Sequence, residues 1–306
     1  MIFLRIPPLR WAVTLSKLIV GCGYVGIRLA RFWVDRGEEV WVTTRSPDRA
    51  AGLADQGFRP IVLDVTVDLK HALPKVETVV FAVGYDRSGP HKIEEVYVAG
   101  LRRISQHCPE TVKKLIYLSS TGVYGQTSGG WVDEESPCEP IREGGRACLS
   151  AERMLQSNVK LADKTIILRL AGIYGPDRLP HAERIALGKP LNVAADGHLN
   201  LIHVDDIIPV IARCDSSILP PQVLCVSDGQ PVRRAEFYTC LSGLLGTEAP
   251  TFSPPEPGSS QASRARGSKR IRNRRLMELV SPVLAYPSYR EGLAAIAADG
   301  NLRSVH

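Results

Sequence analysis

Residues 18–26, Leu-Ile-Val-Gly-Cys-Gly-Tyr-Val-Gly, constrain this chain more than any other stretch. Three apolar residues suited to a buried strand run straight into G-x-G-x-x-G, and residues 27–34 continue with helical spacing. Each glycine has its own task in a dinucleotide site. Gly21 permits the tight turn out of the strand, Gly23 lets a pyrophosphate come against the backbone, and Gly26 lets the helix pack close to the sheet. The free N–H groups at the helix start, around Tyr24 and Val25, would face the phosphates with the positive end of the helix dipole. The strand before the loop and the helix after it predict nucleotide binding over a merely structural turn.

The pattern continues downstream. Residues 39–44 read as a second strand, rich in β-branched and aromatic residues. Sites that prefer NAD place a carboxylate near the end of this strand for the ribose 2′-hydroxyl. This chain has Thr43-Thr44-Arg45-Ser46 there, with Arg49 a turn further on, so a guanidinium stands where the acid is missing. That suits the 2′-phosphate of NADP, with NAD still possible; the alternative is that Arg45 points into solvent. Residues 61–64 form a third short strand, which places Asp64 and Val65 beside the adenine. A fourth strand, residues 78–84, is apolar throughout and ends in Ala82, Val83 and Gly84, where the middle of the cofactor must pass. Residues 91–107 read as a helix and residues 112–119 as a fifth strand. This alternation predicts an α/β fold, a doubly wound Rossmann-type parallel sheet.

Composition sets the outer bounds. A chain of 306 residues with 44% hydrophobic and 23% charged residues can bury a large core as one α/β unit or one and a half domains. No apolar run reaches the ~18 residues that span a bilayer. Residues 1–15 lack a small-residue cleavage site and are expected to be a disordered or dispensable extension. Seven scattered cysteines without a C-x-x-C pair suggest reduced thiols in a cytoplasm, with neither a disulfide framework nor a zinc site.

A second signal follows the fifth strand: Ser119-Ser120-Thr121-Gly122-Val123-Tyr124-Gly125. Together with the glycine loop it resembles the short-chain dehydrogenase/reductase superfamily, in its extended, epimerase/dehydratase-like branch. Residues 168–176, with Arg169, Tyr174, Gly175 and Pro176, resemble the sixth strand and exit loop of that branch. Residues 200–207, with Ile202-His203-Val204-Asp205-Asp206, resemble a further element, and residues 286–293 resemble its closing helix. The resemblance implies that Ser120 holds the reacting oxygen, with Thr121 a neighbouring hydroxyl. It also implies that Ser119, Ala171, Gly172 and Ile173 lie along the cofactor.

The chain departs from that family at one place. The Y-x-x-x-K pair of the helix after the fifth strand, a tyrosine acid/base and a lysine that lowers its pKa, is missing. Counting back from Glu152 puts Gly144 at the tyrosine position and Cys148 at the lysine position. Residues 126–157 contain neither residue type. Tyr124 is the remaining candidate acid, against the alternative that it only packs within its turn, and Arg146 could stand in for the lysine as a cation. The protein could also bind NADP without turnover, as a sensor, or carry out non-redox chemistry.

The second half is less regular. His181 is expected to face solvent, a metal site at His203, Asp205 and Asp206 is disfavoured, and Asp205 is expected to cap a helix over residues 207–213. Residues 223–228 read as a strand, residues 233–245 as a helix and residues 251–267 as a linker. The basic run 269–276 is read first as the solvated face of a late helix, then as an anion contact, and nucleic acid is unlikely. The expected organisation is a Rossmann domain over residues 16–175 and a smaller discontinuous substrate lobe over 176–306, with 198–228 returning to the sheet. The expected function is that of an epimerase/dehydratase-like oxidoreductase on a sugar-nucleotide-like or other polar substrate. The protein would be a monomer or homodimer, with no membrane partner.

Overall fold

The computed structural model describes residues 16–69, 72–253 and 267–300, so the expected extension over residues 1–15 and most of the expected linker lie outside the described residues. The first half alternates β1 (Ser16–Val20), α1 (Tyr24–Val34), β2 (Glu39–Thr44), α2 (Pro47–Ala54), β3 (Arg59–Val62), β4 (Thr78–Phe81), α3 (Gly100–His107) and β5 (Lys114–Ser120). A two-residue strand β6 (Trp131–Val132) precedes α4 (Glu143–Gln156) and β7 (Thr165–Leu170). Next come β8 (Gly172–Tyr174), α5 (Ala182–Ala186), β9 (His198–Leu199), β10 (Leu201–His203), α6 (Val204–Ser216) and β11 (Gln222–Val226). The described part closes with β12 (Val232–Arg233), α7 (Arg234–Leu245), β13 (Arg270–Ile271), α8 (Arg274–Leu279) and α9 (Tyr289–Ala298).

Seven strands form one parallel sheet in the order β11-β7-β5-β4-β1-β2-β3. Every residue of β4 and β7 is buried, as a sheet covered by helices on both faces requires. On one face α1 and α6 bring Leu29, Trp33, Ile207 and Ile211 to the core. On the other, α3 and α4 bring Leu101, Ile104, Ala151 and Leu155. A separate apolar cluster of Tyr174, Phe237, Tyr238, Leu241, Leu293 and Ile296 holds the C-terminal lobe together. At the N-terminal ends of the strands, Asp215 of α6 accepts from Lys17 Nζ of β1 at 2.7 Å and from Thr78 Oγ1 of β4 at 2.5 Å. That knot lies at the end of the sheet away from the glycine loop.

Several boundaries differ from expectation. The helix expected over residues 91–107 contains a π-helical turn, Glu95–Ala99, ahead of α3. His203, not Asp205, caps α6: its Nδ1 accepts from the Asp205 amide at 3.3 Å, which places Asp205 in the first turn. Of the stretch 198–228 only β11 joins the main sheet; β9 pairs with β12, and β10 with β8. The basic run is not one helix. Arg270 and Ile271 pair in parallel with Trp131 and Val132, and the helix begins only at Arg274.

Candidate active site

The glycine loop is shaped by close backbone approaches. Gly21 adopts φ +99°, and a Cβ there would lie 2.8 Å from the Val83 backbone at the end of β4. A Cβ on Gly26 would lie 2.2 Å from the Gly21 carbonyl oxygen, so the helix reaches the loop only without a side chain. Gly23 is different: a Cβ there would meet nothing within 4 Å, because the position faces open space. α1 has no side-chain cap and no acidic residue in its first turn, so its leading N–H groups are presented outward.

That open space is a groove of about 290 Å³ lined by Gly21, Gly23, Thr44, Arg45, Asp64, Val65, Val83 and Gly84, as the sequence predicts. Arg49 also lines it, and its Nη2 donates to the Cys22 carbonyl at 2.5 Å, laying the guanidinium across the glycine turn. Burial pushes the Asp64 carboxyl up, but bonds from the Thr66 hydroxyl and amide, with Arg45 and His91 nearby, outweigh it and hold the group below its ordinary value. Thr66, Asp86 and His91, which sequence reasoning missed, complete this end. The side chain of Tyr24 does not enter the groove. Its hydroxyl donates to the Pro176 carbonyl at 2.7 Å, between the guanidiniums of Arg28 and Arg178. Val25 and Gly26 continue the helix behind the loop, Ala82 donates to the Val20 carbonyl, and Ile173 packs against the core. The groove thus fits an adenine dinucleotide: open space at Gly23, uncapped amides and the Arg45 and Arg49 guanidiniums along its wall.

Gly84 joins this groove to a second cleft of about 740 Å³, which also holds Ser120, Tyr97, Gly144, Cys148, Arg142 and Arg178. Ser120 Oγ accepts the Gly122 amide at 3.0 Å, which orients it and leaves its own O–H for a bound group. A Cβ on Gly144 would meet only Ile93 Cδ1 at 3.5 Å, so the backbone at the expected tyrosine position does not itself exclude a side chain. Burial pushes the Cys148 thiol up to about 11, which leaves it uncharged. Arg146 is exposed and donates to the Ile141 carbonyl at 2.8 Å.

Two expected site residues turn their hydroxyls away from the clefts, although Tyr124 itself lines a further cleft with Thr121. Tyr124 has a buried hydroxyl 2.7 Å from Arg169 Nη1 and 3.1 Å from Cys225 Sγ, and burial raises its phenol far above the ordinary value. This corrects its expected role as the acid: a sequestered phenol bonded to a guanidinium cannot reach a substrate oxygen. Ser119 likewise donates to Glu152 Oε1 at 2.5 Å, away from the groove, because Glu152 and Arg169 form a buried pair directly behind it.

Gly122, Ile141 and Arg142 are shared with a third cleft of about 310 Å³, lined also by Thr121, Gly172, Arg184, Arg234, His198 and Lys269. His181 is exposed, as expected, and lines it as well, with its ring edge-on to Tyr238 at 5.5 Å. No carboxylate is among the described residues of this lining. Gly172 lines this cleft and its amide donates to the Asn200 carbonyl at 2.8 Å, while Ala171 is buried beside it and donates to the Val226 carbonyl at 2.9 Å. The rest of the basic run is used locally. Arg274 pairs with Glu278, Arg275 with Glu135, and Arg270 and Arg272 lie over the Trp131 ring. Among the described residues no group of three or more metal-ligating side chains forms a candidate metal site, and no helix is long and apolar enough to cross a membrane.

Comparison with known proteins follows the same outline. The model of the NAD dependent epimerase/dehydratase family matches residues 18–214. Protein YeeZ of Escherichia coli is 29% identical over 244 residues, 76% of this chain and 85% of YeeZ. Short-chain dehydrogenase/reductase family 42E member 1 of Xenopus laevis is 30% identical over 269 residues, 77% of this chain and 69% of the relative. The structure of MoeE5 in complex with UDP-glucuronic acid and NAD superposes with a TM-score of 0.74 at 22% identity, covering 91% of this chain and 96% of MoeE5, a likeness of fold. With its glycine turn and Ser120 in place and Gly144 and Cys148 where the Tyr–Lys pair is expected, this chain belongs to the NAD dependent epimerase/dehydratase family, as an atypical short-chain dehydrogenase/reductase.

Proposed function

We propose that the protein is an NADP(H)-dependent oxidoreductase of the epimerase/dehydratase type, acting on a polar, nucleotide-linked substrate. One observation carries this reading: the three clefts run in sequence, joined at Gly84 and at Arg142, from the uncapped glycine turn past Ser120 to a cation-lined chamber. The α1 amides hold a diphosphate, Arg45 and Arg49 hold a 2′-phosphate, and Asp64 and Val65 border the adenine. Residues 16–175 carry this half, and residues 176–306 supply the lobe over the substrate. Bound nicotinamide supplies or takes a hydride. Ser120 donates a hydrogen bond to the substrate oxygen, with Thr121 beside it, and the cations of the third cleft orient an anionic substrate group. MoeE5 holds UDP-glucuronic acid on this fold, and a nucleoside diphosphate has the charge that such a chamber complements. Seven free thiols fit a reducing compartment, the cytoplasm.

A second reading, a dinucleotide-binding sensor without turnover, is favoured by the vacant tyrosine position at Gly144 and the sequestered Tyr124 hydroxyl. Single-turnover fluorescence of bound NADPH against a panel of UDP-linked keto-sugars separates the two. Oxidation of NADPH supports the enzyme. Tight NADPH binding with no oxidation across the panel supports the sensor, and no binding of either dinucleotide sinks both.

A further inference from the structure

Within the run 269–275, Lys269 alone lines the third cleft. Its Nζ donates to the Tyr124 carbonyl at 2.8 Å, at the exit of the turn that begins with Ser120 and Thr121. Its backbone is pinned from the other side, where Asn200 Nδ2 donates to the Lys269 carbonyl at 2.9 Å and Asn200 Oδ1 accepts the Ile271 amide at 2.6 Å. The ammonium is therefore held at the Tyr124 carbonyl in the cleft that Thr121 also lines, not swung freely from a surface loop.

Its surroundings do not stabilise a permanent charge. The titratable groups that share its chamber are Arg142 from the turn before α4, Arg184 from α5, His181 and His198 from the lobe strands and turns, and Arg234 and Tyr238 from α7, the Tyr238 phenol pushed up to about 12 by burial. Among the described residues Lys269 makes no ion pair with a carboxylate. Burial first, and then the Arg142 guanidinium, push its pKa from the ordinary 10.5 down to about 8. Burial and then Arg270, Arg233 and Arg234 also lower His198. The arginines stay protonated, so Lys269 joins the chamber's two histidines as a group with a transferable proton, and it is the one held at the Tyr124 carbonyl.

We propose that Lys269 Nζ exchanges the proton of the substrate's reacting hydroxyl, in the role that no side chain can fill from position 144. The inference rests on the NADP-dependent reading above. In the oxidising direction the neutral amine forms an N–H bond with the hydroxyl proton as that O–H bond breaks. The adjacent carbon gives up its hydrogen with both bonding electrons to an oxidised nicotinamide, leaving a carbonyl, an ammonium and a reduced nicotinamide. The reverse reaction returns both. Thr121, which lines the same cleft as Lys269, holds the oxygen during the exchange, and Arg142 binds an anionic group of the substrate.

The test is competitive acetylation of the full-length protein with NADPH bound, with the Lys269 peptide quantified by mass spectrometry from pH 6 to 10. The expected midpoint is about 8, more than two pH units below the exposed lysines, with labelling at least ~10-fold slower when UDP-glucose is present at saturation. A midpoint in the ordinary lysine range overturns the proposal, whatever binds. A midpoint near 8 with no protection, although calorimetry shows UDP-glucose bound, overturns it too, since Lys269 then does not touch the substrate. A midpoint near 8 with no UDP-glucose binding supports the titrating lysine and counts against the nucleotide-linked substrate instead. Any carbonyl substrate reduced by the wild type adds a kinetic arm. Lys269→Arg, which keeps the charge but cannot release a proton, should lose at least ~100-fold in kcat while binding NADPH as before. Retention of kcat within ~3-fold would reduce the lysine to a positioning charge and overturn the assignment.

Discussion

Arg169 Nη2 lies 2.8 Å from Glu152 Oε2, and neither side chain reaches solvent. The pair ties α4 to β7 directly behind Ser119, and Tyr124 joins it through Arg169 Nη1. Removing one partner leaves an uncompensated buried charge, which costs about 3–5 kcal/mol, whereas replacing both by apolar groups of similar volume is far milder. Glu152→Leu should therefore unfold at much lower urea than the Glu152→Leu/Arg169→Met double variant. Equal midpoints for the two would show that the pair contributes little to the fold.

Gly23 and Gly26 separate binding from stability. At Gly26 a methyl group meets the Gly21 carbonyl, and Gly26→Ala should lose about 1–3 kcal/mol of stability in denaturant. At Gly23 it meets nothing, so Gly23→Ala should unfold with the wild type yet bind NADPH at least ~10-fold more weakly, because the methyl fills space a diphosphate needs. Unchanged NADPH affinity in Gly23→Ala would place the diphosphate elsewhere.

Arg49 lies across the glycine turn and Arg45 beside Asp64, both lining the groove at the end proposed for the ribose. Loss of one charge-assisted hydrogen bond, worth about 1.5–3 kcal/mol, predicts that Arg49→Ala weakens NADPH by roughly 10- to 100-fold. NADH, which has no 2′-phosphate, should change by less than ~3-fold. Fluorescence titration with both dinucleotides checks this, and equal losses for the two would remove the 2′-phosphate from the assignment.

Asp228 is buried, with Oδ1 accepting the Gln230 amide at 2.9 Å and Oδ2 without a partner among the described residues. Burial, against the pull of that amide, raises its carboxyl from 3.8 to about 7. The folded protein keeps a proton that the unfolded chain releases. The stabilisation is complete below pH 3.8 and is lost as the pH climbs toward 7. Asp228→Asn should flatten that slope and narrow the gap in stability between pH 4 and pH 8 by on the order of 3–4 kcal/mol. Urea melts of both proteins across this range provide the measurement, and identical slopes would contradict the buried acid.

The parts legible in the sequence were those in which neighbours in the chain are neighbours in space. Gly21, Gly23, Arg45, Asp64 and Val83 were readable because each lies at the end of a short apolar strand, and parallel strands deliver their ends to one edge. Tyr124 was misread for the opposite reason. Its turn is local, but the direction of its hydroxyl is decided by Arg169, 45 residues on, and Cys225, 101 residues on. Lys269 was lost within a run of cations, since nothing in that run reveals a hydrogen bond to a carbonyl 145 residues earlier. The capping of α6 by His203 escaped notice because imidazole is a rare cap and an aspartate stood two positions later.

The Arg270 and Arg272 guanidiniums lie 4.9 and 5.8 Å from the half-exposed Trp131 ring, at the short strand pair that follows Lys269. An indole close to two cations emits at a wavelength set by their placement, so this tryptophan is an optical gauge of that strand pair. A ligand that draws the lysine inward would register as a colour change in the protein's own emission, with no dye attached.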